Sequence, residues 1–410
     1  MKTLFLMYGT PASGKSSFIR KHHLEQYTTN VDHFREIFGH TSLHLSEQEE
    51  IFQMTDLSEE GYIWDMVYTN VEHRMQHDLT TIIDATFLFK KAFKKPFELS
   101  KKYNYKVVIV DLMADLIEEF DATSKNFDTL LEVLTERDAN RPQHVGQKVI
   151  EKYLNRYFDS QHSSKQYKFV TPSEFVATYL SPIEPLDFNH FNRIKIIGDV
   201  HGDYSNVLNV FEDHQKGDAY IFVGDYLDRG SENAKTFQFL NKLKGSNLFF
   251  LRGNHEKSLQ NFVIGDKLTS QQFKLVTLPE LMRAGVTKED IATFVSQLQE
   301  YLYFTFDDQT YFVSHAGIEP VRLDTFEHPQ NTDDLINFAN VREFTHGIVG
   351  HDGSPYSVDI DKKIEARNAS TIQIHGHRNA FNHPVDKFTN TFNLTAPNSD
   401  NSFRYMIIEH

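Results

Sequence analysis

The apolar run Ile194–Ile197 ends abruptly in Gly198-Asp199-Val200-His201-Gly202-Asp203. A carboxylate and an imidazole two residues apart, at the C-terminal end of a strand, can both be aimed at one divalent metal. That mixed oxygen and nitrogen set suits Mn, Fe, Ni or Zn. The pattern recurs, because Tyr220–Val223, Asn247–Leu251 and Tyr311–Ser314 also read as strands that end in polar, metal-competent sequence. Asp203–Phe211 and Glu232–Leu243 read as intervening helices, so this half of the chain is constrained to an α/β architecture.

The other end of the chain carries a second phosphate chemistry. Gly9-Thr10-Pro11-Ala12-Ser13-Gly14-Lys15-Ser16 follows the strand-like run Thr3–Tyr8 and opens the helical stretch Lys15–His23. In that setting backbone N–H groups wrap phosphates, Lys15 adds a point charge and Ser16 can ligate Mg²⁺. Gly9, Ser13, Gly14, Lys15, Ser16 and Ser17 are the candidate ATP-binding residues. Phosphoryl transfer also needs a base on the acceptor side. Asp32, after an apparent second strand, can take a hydroxyl proton while Arg35 grips a nearby phosphate, although Asp32 equally suits the N-cap of a helix beginning at His33. Asp84, ending the strand Thr80–Asp84, can orient Mg²⁺ or the acceptor, and Arg137 and Arg141, before Pro142, can close over ATP as a lid.

A chain of 410 residues suits two domains of roughly 150 to 250 residues each. In the first, Lys106–Asp111 is a further strand, with helices at Glu59–His77, Phe127–Asp138 and Gly146–Tyr157, the alternation of a parallel sheet. The expected boundaries are 1–172 for this domain, a Pro-containing connection at 173–192 and 193–410 for the second domain. Residues 265–302 read as mostly helical, and Thr371–Ile374, Thr389–Asn393 and Phe403–Ile408 as strands.

The absence of cysteine leaves any metal to His, Asp, Asn or Glu and excludes thiolate zinc sites and disulfides. Met1–Tyr8 runs straight into the glycine loop as a first strand would, and no apolar run reaches membrane-spanning length, so a soluble, cytoplasmic protein is expected. A net charge of −15 argues against broad coating of nucleic acid. A polyanion needs a local basic patch, and Lys90, Lys91, Lys94, Lys95, Lys101 and Lys102 share one side of a helix at about 100° per residue, which also fits an ordinary solvated face.

The glycine loop, Asp32-x-x-Arg35, Ile82-Ile83-Asp84-Ala85-Thr86 and Glu136-Arg137-Asp138-x-x-Arg141-Pro142 together resemble the kinase domain of bacterial and phage polynucleotide kinases, over most of residues 1 to 160. The resemblance implies a P-loop kinase domain with a parallel sheet, ATP and Mg²⁺ as cofactors, Asp32 as general base, Arg35 on the acceptor's phosphate and lid arginines on ATP.

The segments Gly198–Gly202, Gly224-Asp225-Tyr226-Leu227-Asp228-Arg229-Gly230, Arg252-Gly253-Asn254-His255-Glu256, Ser314-His315-Ala316-Gly317 and His375-Gly376-His377-Arg378 resemble, in this order, the binuclear metallophosphoesterases. Their Asp-Arg-Gly and Gly-Asn-His-Glu forms resemble the Ser/Thr phosphatase and diadenosine tetraphosphatase branch. The resemblance implies an α/β two-sheet sandwich flanked by helices and two divalent metals, manganese first with nickel or iron as alternatives. Asp199 and His201 would hold one metal, Asn254, His315 and His377 the other, and Asp225 would bridge. His255, held by Asp228, would protonate the leaving oxygen, with Arg229 and Arg252 on the phosphate. His375, His346 and His351 are alternatives to His377.

The pair of domains is similar to bacterial RNA-repair polynucleotide kinase-phosphatases. That implies healing of nucleic-acid ends, RNA before DNA, in a bacterial or phage-infected cell, with sealing left to a separate RNA ligase because the chain carries no Lys-x-Asp-Gly ligase sequence. A small-metabolite or protein kinase fused to a protein phosphatase or diadenosine tetraphosphatase is the alternative.

Overall fold

The structure, a computed structural model, describes residues 2–39, 41–45, 51–55, 60–141, 144–160, 167–325, 329–332, 334–348, 359–367, 370–377, 388–395 and 404–410. The chain divides into two compact units, Met1–Ser181 with Gln330–Ala339, and Pro182–Pro329 with Asn340–His410.

In the first unit, strands β1 (Thr3–Tyr8), β2 (Thr28–Asn30), β5 (Thr81–Asp84), β6 (Lys106–Asp111) and β7 (Lys168–Val170) form one sheet in the order β2-β5-β1-β6-β7, every pairing parallel. Between β2 and β5 a hairpin, β3 (Thr41–Leu45) and β4 (Ile51–Thr55), stands apart from that sheet. Central β1 is buried at every position because helices cover both faces, which is why it reads as an unbroken apolar run rather than an alternating one. Phe5, Met7, Ile19, Ile82, Val108 and Val110 pack with Phe175, Tyr179, Leu335 and Phe338 in one core. Phe175 and Tyr179 belong to the helix Pro172–Tyr179, opened by a capping box between Thr171 and Glu174. The expected connection at 173–192 therefore begins as part of the first unit's core.

The second unit stacks two sheets. β9 (Arg193–Ile197), β10 (Asp218–Phe222), β11 (Leu248–Phe250) and β16 (Tyr405–Glu409) run in the order β11-β10-β9-β16, with β16 antiparallel to β9. β8 (Leu186–Asp187), β12 (Tyr301–Phe306), β13 (Gln309–Ala316), β14 (Thr371–Gly376) and β15 (Thr391–Asn393) form the other, in the order β15-β14-β13-β12-β8. Ile194, Ile196, Ile221 and Val223 meet Phe304, Phe306, Val313 and Ile374 between the sheets. The alternate residues Ile197, Tyr220, Phe222 and Phe250 face helices instead, against Val207, Phe237, Leu240 and Phe294. Both faces of β9–β11 are thus covered, and residues follow the two-residue side-chain period. Residues 265–302 hold the π-turn Phe273–Thr277 and the helices Leu278–Arg283 and Lys288–Ser296, but Tyr301 already begins β12. Among the described residues no helix is long and apolar enough to cross a membrane.

Candidate active sites

The parallel register aligns the C-terminal ends of β1, β2 and β5, so the loops after them share one edge of the sheet. Gly9 and Gly14 take φ values of 152° and 96°, conformations that a side chain disfavours, and they curl the loop between β1 and the helix Lys15–Lys21. Lys15 Nζ donates to the carbonyls of Gly9, at 3.2 Å, and Thr10, at 2.7 Å. Burial pulls its pKa down to about 8, against the opposing fields of Asp84 and Asp32, while Arg141 adds to the lowering. The four groups that influence one another here are the ones the sequence nominated for phosphoryl transfer.

Ser16 Oγ donates to Asp84 Oδ2 at 2.8 Å, and Asn30 Nδ2 donates to the same oxygen at 2.8 Å. A hydroxyl and a buried carboxylate brought together at the loop form an oxygen pair of the kind Mg²⁺ accepts. Burial raises the Asp84 pKa. Asn30 Oδ1 also accepts from His33 N, so Asn30, not Asp32, caps the helix, which begins at Val31. Asp32 is left as an exposed carboxylate in its first turn.

Arg35 departs from expectation. Its guanidinium is engaged by Asp32 and, through Nε at 3.1 Å and a second nitrogen, by Glu60, whose Oε1 also accepts from Trp64 Nε1 at 2.9 Å. An acceptor phosphate at Arg35 must therefore compete with Glu60. Arg137 is exposed, whereas Arg141 donates to Asp138 at 3.2 Å. Asp138 is buried because its other oxygen caps the backbone N–H groups of Val145 and Gly146, each at 2.8 Å. Ser13 is buried and Ser17 exposed. Pro142 lies outside the described residues.

In the second unit all the nominated segments leave the C-terminal ends of β9, β10, β11, β13 and β14. Gly253 and Gly376 have no room for a side chain, since a Cβ on Gly253 would stand 2.2 Å from Asp225 Oδ1 and one on Gly376 2.0 Å from Asp199 Oδ1. His201, Asp225, Asp228, Arg229 and His377 all adopt positive φ, a concentration of backbone strain found where function over-determines geometry.

Asp225 is the hub. His201, Asp225 and His255 bring ligating atoms within 4.8 Å of one another, and so do Asp225, His315 and His377. His201 Nδ1 meets the Leu227 carbonyl at 3.2 Å, so Nδ1 carries the proton and Nε2 presents its lone pair. That buried Nε2 makes no hydrogen bond and stands 3.8 Å from Asp225 Oδ2. Burial lowers the His201 pKa, keeping the ring neutral, as a ligand must be.

His315 Nδ1 is bound to the Val223 carbonyl at 3.0 Å, and its Nε2 faces Asn254 Oδ1 at 3.0 Å and Asp225 Oδ1 at 3.4 Å. Burial alone would lower its pKa, yet the Asp225, Asp199 and Glu256 carboxylates hold it up to about 9. Such a convergence of acceptors fits a cation. Burial would also raise the Asp225 pKa, but the imidazoles of His315, His255 and His201 keep it well below the usual carboxylate range. Asp199 accepts from the His377 N–H at 3.0 and 3.1 Å, and burial raises its pKa.

His255 Nδ1 donates to Asp228 Oδ2 at 2.7 Å, the arrangement expected of a held proton donor. Arg252 is buried and Arg229 exposed. His375 is turned away, with Nε2 on Asp361 Oδ1 at 2.9 Å. The His346 ring lies 6.1 Å from that of His377 and bonds Thr345. His351 and Arg378 lie outside the described residues. The nominated ligands supply carboxylate, amide and imidazole groups without thiolate, a donor set that fits divalent transition metals.

Sequence reading missed the supports. Glu256 accepts from the N–H groups of Gly253 at 2.8 Å, Asp225 at 2.9 Å and Tyr226 at 3.0 Å, tying two strand ends together. Its place in Gly-Asn-His-Glu was visible, but not its partners.

Residues 4–159 match the AAA domain family and residues 192–390 the calcineurin-like phosphoesterase family. A PP2A-like serine/threonine-protein phosphatase of Candida albicans is 28% identical over 49% of this chain, a match spanning 44% of that protein's length. An asymmetrical bis(5′-nucleosyl)-tetraphosphatase of Halalkalibacterium halodurans is 28% identical over 41% of this chain and 72% of its own length. A solved protein serine/threonine phosphatase from Saccharomyces cerevisiae aligns with 20% identity and a TM-score of 0.34, covering 65% of this chain and 96% of that one. The chain is an α/β protein with a P-loop-type domain followed by a calcineurin-like metallophosphoesterase domain.

Proposed function

We propose that this protein heals broken nucleic-acid ends, phosphorylating a 5′-hydroxyl with ATP and removing a 3′-phosphate or 2′,3′-cyclic phosphate, on RNA before DNA. The observation that carries the reading is the first unit's shared sheet edge, where Lys15, the Ser16–Asp84 pair and the exposed carboxylate of Asp32 converge beside Arg35. Lys15 and the loop N–H groups bind the phosphates, Ser16 and Asp84 would hold Mg²⁺, Asp32 takes the hydroxyl proton, and Arg137 and Arg141 close over ATP.

In the second unit Asp199, His201, Asp225, Asn254, His315 and His377 would hold two divalent metals, manganese first. Such metals would supply Lewis-acid charge stabilisation and a nucleophilic water. Arg229 and Arg252 bind phosphate oxygens. His255, oriented by Asp228, gives its proton to the leaving oxygen. Lys90, Lys91, Lys94, Lys95, Lys101 and Lys102 are all exposed, and Arg156 lies 3.9 Å over the Phe89 ring, giving a strand of nucleic acid a local basic surface on an acidic protein. A separate RNA ligase would seal the healed ends.

Transfer of label from γ-labelled ATP to matched 5′-hydroxyl RNA and DNA oligonucleotides, with Lys15→Ala as control, tests this reading. Label on RNA that vanishes in the variant supports it. The likeness to a tetraphosphatase and a protein phosphatase favours the second reading, a kinase of another acceptor fused to such a hydrolase. No label on either strand, with rapid cleavage of diadenosine tetraphosphate, would select it.

A further inference from the structure

Thr277 is fully buried in the π-turn Phe273–Thr277, which leads directly into the helix Leu278–Arg283. A threonine within a helix ordinarily returns its hydroxyl to the carbonyl one turn back. Thr277 Oγ1 instead donates to Asp228 Oδ1, across 49 residues of sequence. The other oxygen, Oδ2, takes His255 Nδ1. Both oxygens of the Asp228 carboxylate are therefore committed, one to the imidazole and one to the threonine.

The same helical segment holds the loop a second time. Asn233 Oδ1 accepts from Asp228 N at 2.8 Å, and Asn233 Nδ2 donates to Glu280 Oε2 at 2.8 Å, while Glu280 Oε1 accepts from Ala234 N at 2.9 Å. Asp228 itself sits at φ 72°, an unfavourable conformation that needs such support. π-Turns are rare and concentrate at functional sites, and here the outward residues Leu275 and Val276 are 66% and 52% exposed while Phe273 and Thr277 face in.

We propose that Thr277 is a positioning residue for phosphoester hydrolysis. It stops rotation of the Asp228 carboxylate, so that His255 keeps its far nitrogen aimed where the leaving oxygen departs. The inference rests on the proton-donor role given to His255 above. In that step the bond from phosphorus to the leaving oxygen breaks, water supplies the replacing oxygen, and the leaving oxygen keeps the bonding electron pair and takes the His255 proton.

A poor leaving group such as an alkyl alcohol needs that proton, whereas p-nitrophenolate leaves without it. The test is kcat and KM for Thr277→Val on alkyl and p-nitrophenyl phosphomonoesters with Mn²⁺. The expected result is a kcat loss of about tenfold or more on the alkyl ester, a loss under about threefold on the aryl ester, and little change in KM, since general acid catalysis contributes roughly 10²–10⁴-fold in full. Thr277→Ser, which keeps the hydroxyl, should restore the alkyl rate. An equal loss on both esters, or none, overturns the proposal. As a second route, Asp228→Asn should show the same leaving-group dependence, and adding Thr277→Val to it should cost nothing further. Additive losses would overturn the coupling. If the unaltered protein hydrolyses neither ester, the phosphoesterase reading fails first and takes this one with it.

Discussion

His315 Nε2 stands 3.0 Å from Asn254 Oδ1 while its Nδ1 is committed to the Val223 carbonyl. With its pKa held up to about 9, the ring keeps on Nε2 a proton that it donates to Asn254 Oδ1, with Asp225 Oδ1 at 3.4 Å; a divalent metal displacing that proton would meet an imidazole, an amide oxygen and a carboxylate together. Replacing His315 by Ala should lower Mn²⁺-dependent hydrolysis by about a hundredfold or more, because even partners one step removed from a metal cost 10–100-fold. The rise in thermal midpoint that Mn²⁺ gives the unaltered protein should shrink, since binding stabilises only in proportion to affinity. ATP-dependent labelling should persist. Differential scanning and paired activity assays check all three, and loss of kinase activity in a folded variant would contradict separate sites.

Ser16 and Asp84 meet across 68 residues of sequence, with Asn30 on the same carboxylate oxygen. Asp84→Asn keeps the shape and removes the charge that would face Mg²⁺ and ATP. Kinase activity should fall by about 10²–10³-fold, the range for losing one preorganised electrostatic group. Stability should hold or improve, because the Asp84 carboxylate is buried. Labelling rates alongside urea midpoints distinguish the two effects; a variant that loses both would make Asp84 structural.

Asp111, at the end of β6, accepts from Tyr157 Oη at 2.9 Å and from Met113 N at 3.0 Å, yet burial pushes its pKa up to about 6. A carboxyl whose folded pKa lies above its unfolded value binds its proton more tightly when folded. Its stabilisation is therefore present below the unfolded pKa, near 3.8, and lost as pH rises through about 6. Against Asp111→Asn, the unaltered protein should gain relative stability as pH falls from about 7 to 4. Urea midpoints of both proteins across that range give the difference directly, and a flat difference would show that Asp111 ionises normally.

The strand-end clusters were legible because strand, turn and ligand lie within a few consecutive residues, as in Gly224–Gly230 or Gly9–Ser16. The β-rhythm of the first sheet was legible for the same reason. Glu60 on Arg35 and Thr277 on Asp228 were not, since each pairing joins segments 25 and 49 residues apart and neither residue sits in a chemical motif. Asp32 illustrates a nearer limit. Both Asn30 and Asp32 are good caps, and only the backbone shows that the helix starts at Val31. The helix Pro172–Tyr179 looks like a connection in the sequence because its proline, a common first-turn residue, also marks turns.

Least legible was the segment Gln330–Ala339, which lies within the stretch matching the phosphoesterase family yet belongs to the first unit. Leu335 and Phe338 are buried in that unit's core, where the Phe338 ring lies 4.8 Å from Tyr27 and 6.2 Å from Phe5. Polar contacts fix the segment as well: Thr332 Oγ1 donates to the His23 carbonyl at 2.7 Å and Thr80 Oγ1 to the Asn337 carbonyl at 3.3 Å. Truncating a buried phenylalanine typically costs about 3–5 kcal/mol through lost burial and the cavity left behind. Phe338→Ala in the full chain should therefore weaken the first unit, although residue 338 falls within the stretch that matches the phosphoesterase family. The expected outcome is a lowered unfolding midpoint for the transition that ATP protects, with kinase activity lost at lower temperature and Mn²⁺-dependent hydrolysis retained. Scanning calorimetry with ATP or Mn²⁺ assigns each transition to its ligand. If Phe338→Ala instead lowered only the transition that Mn²⁺ protects, the segment would belong energetically to the phosphoesterase.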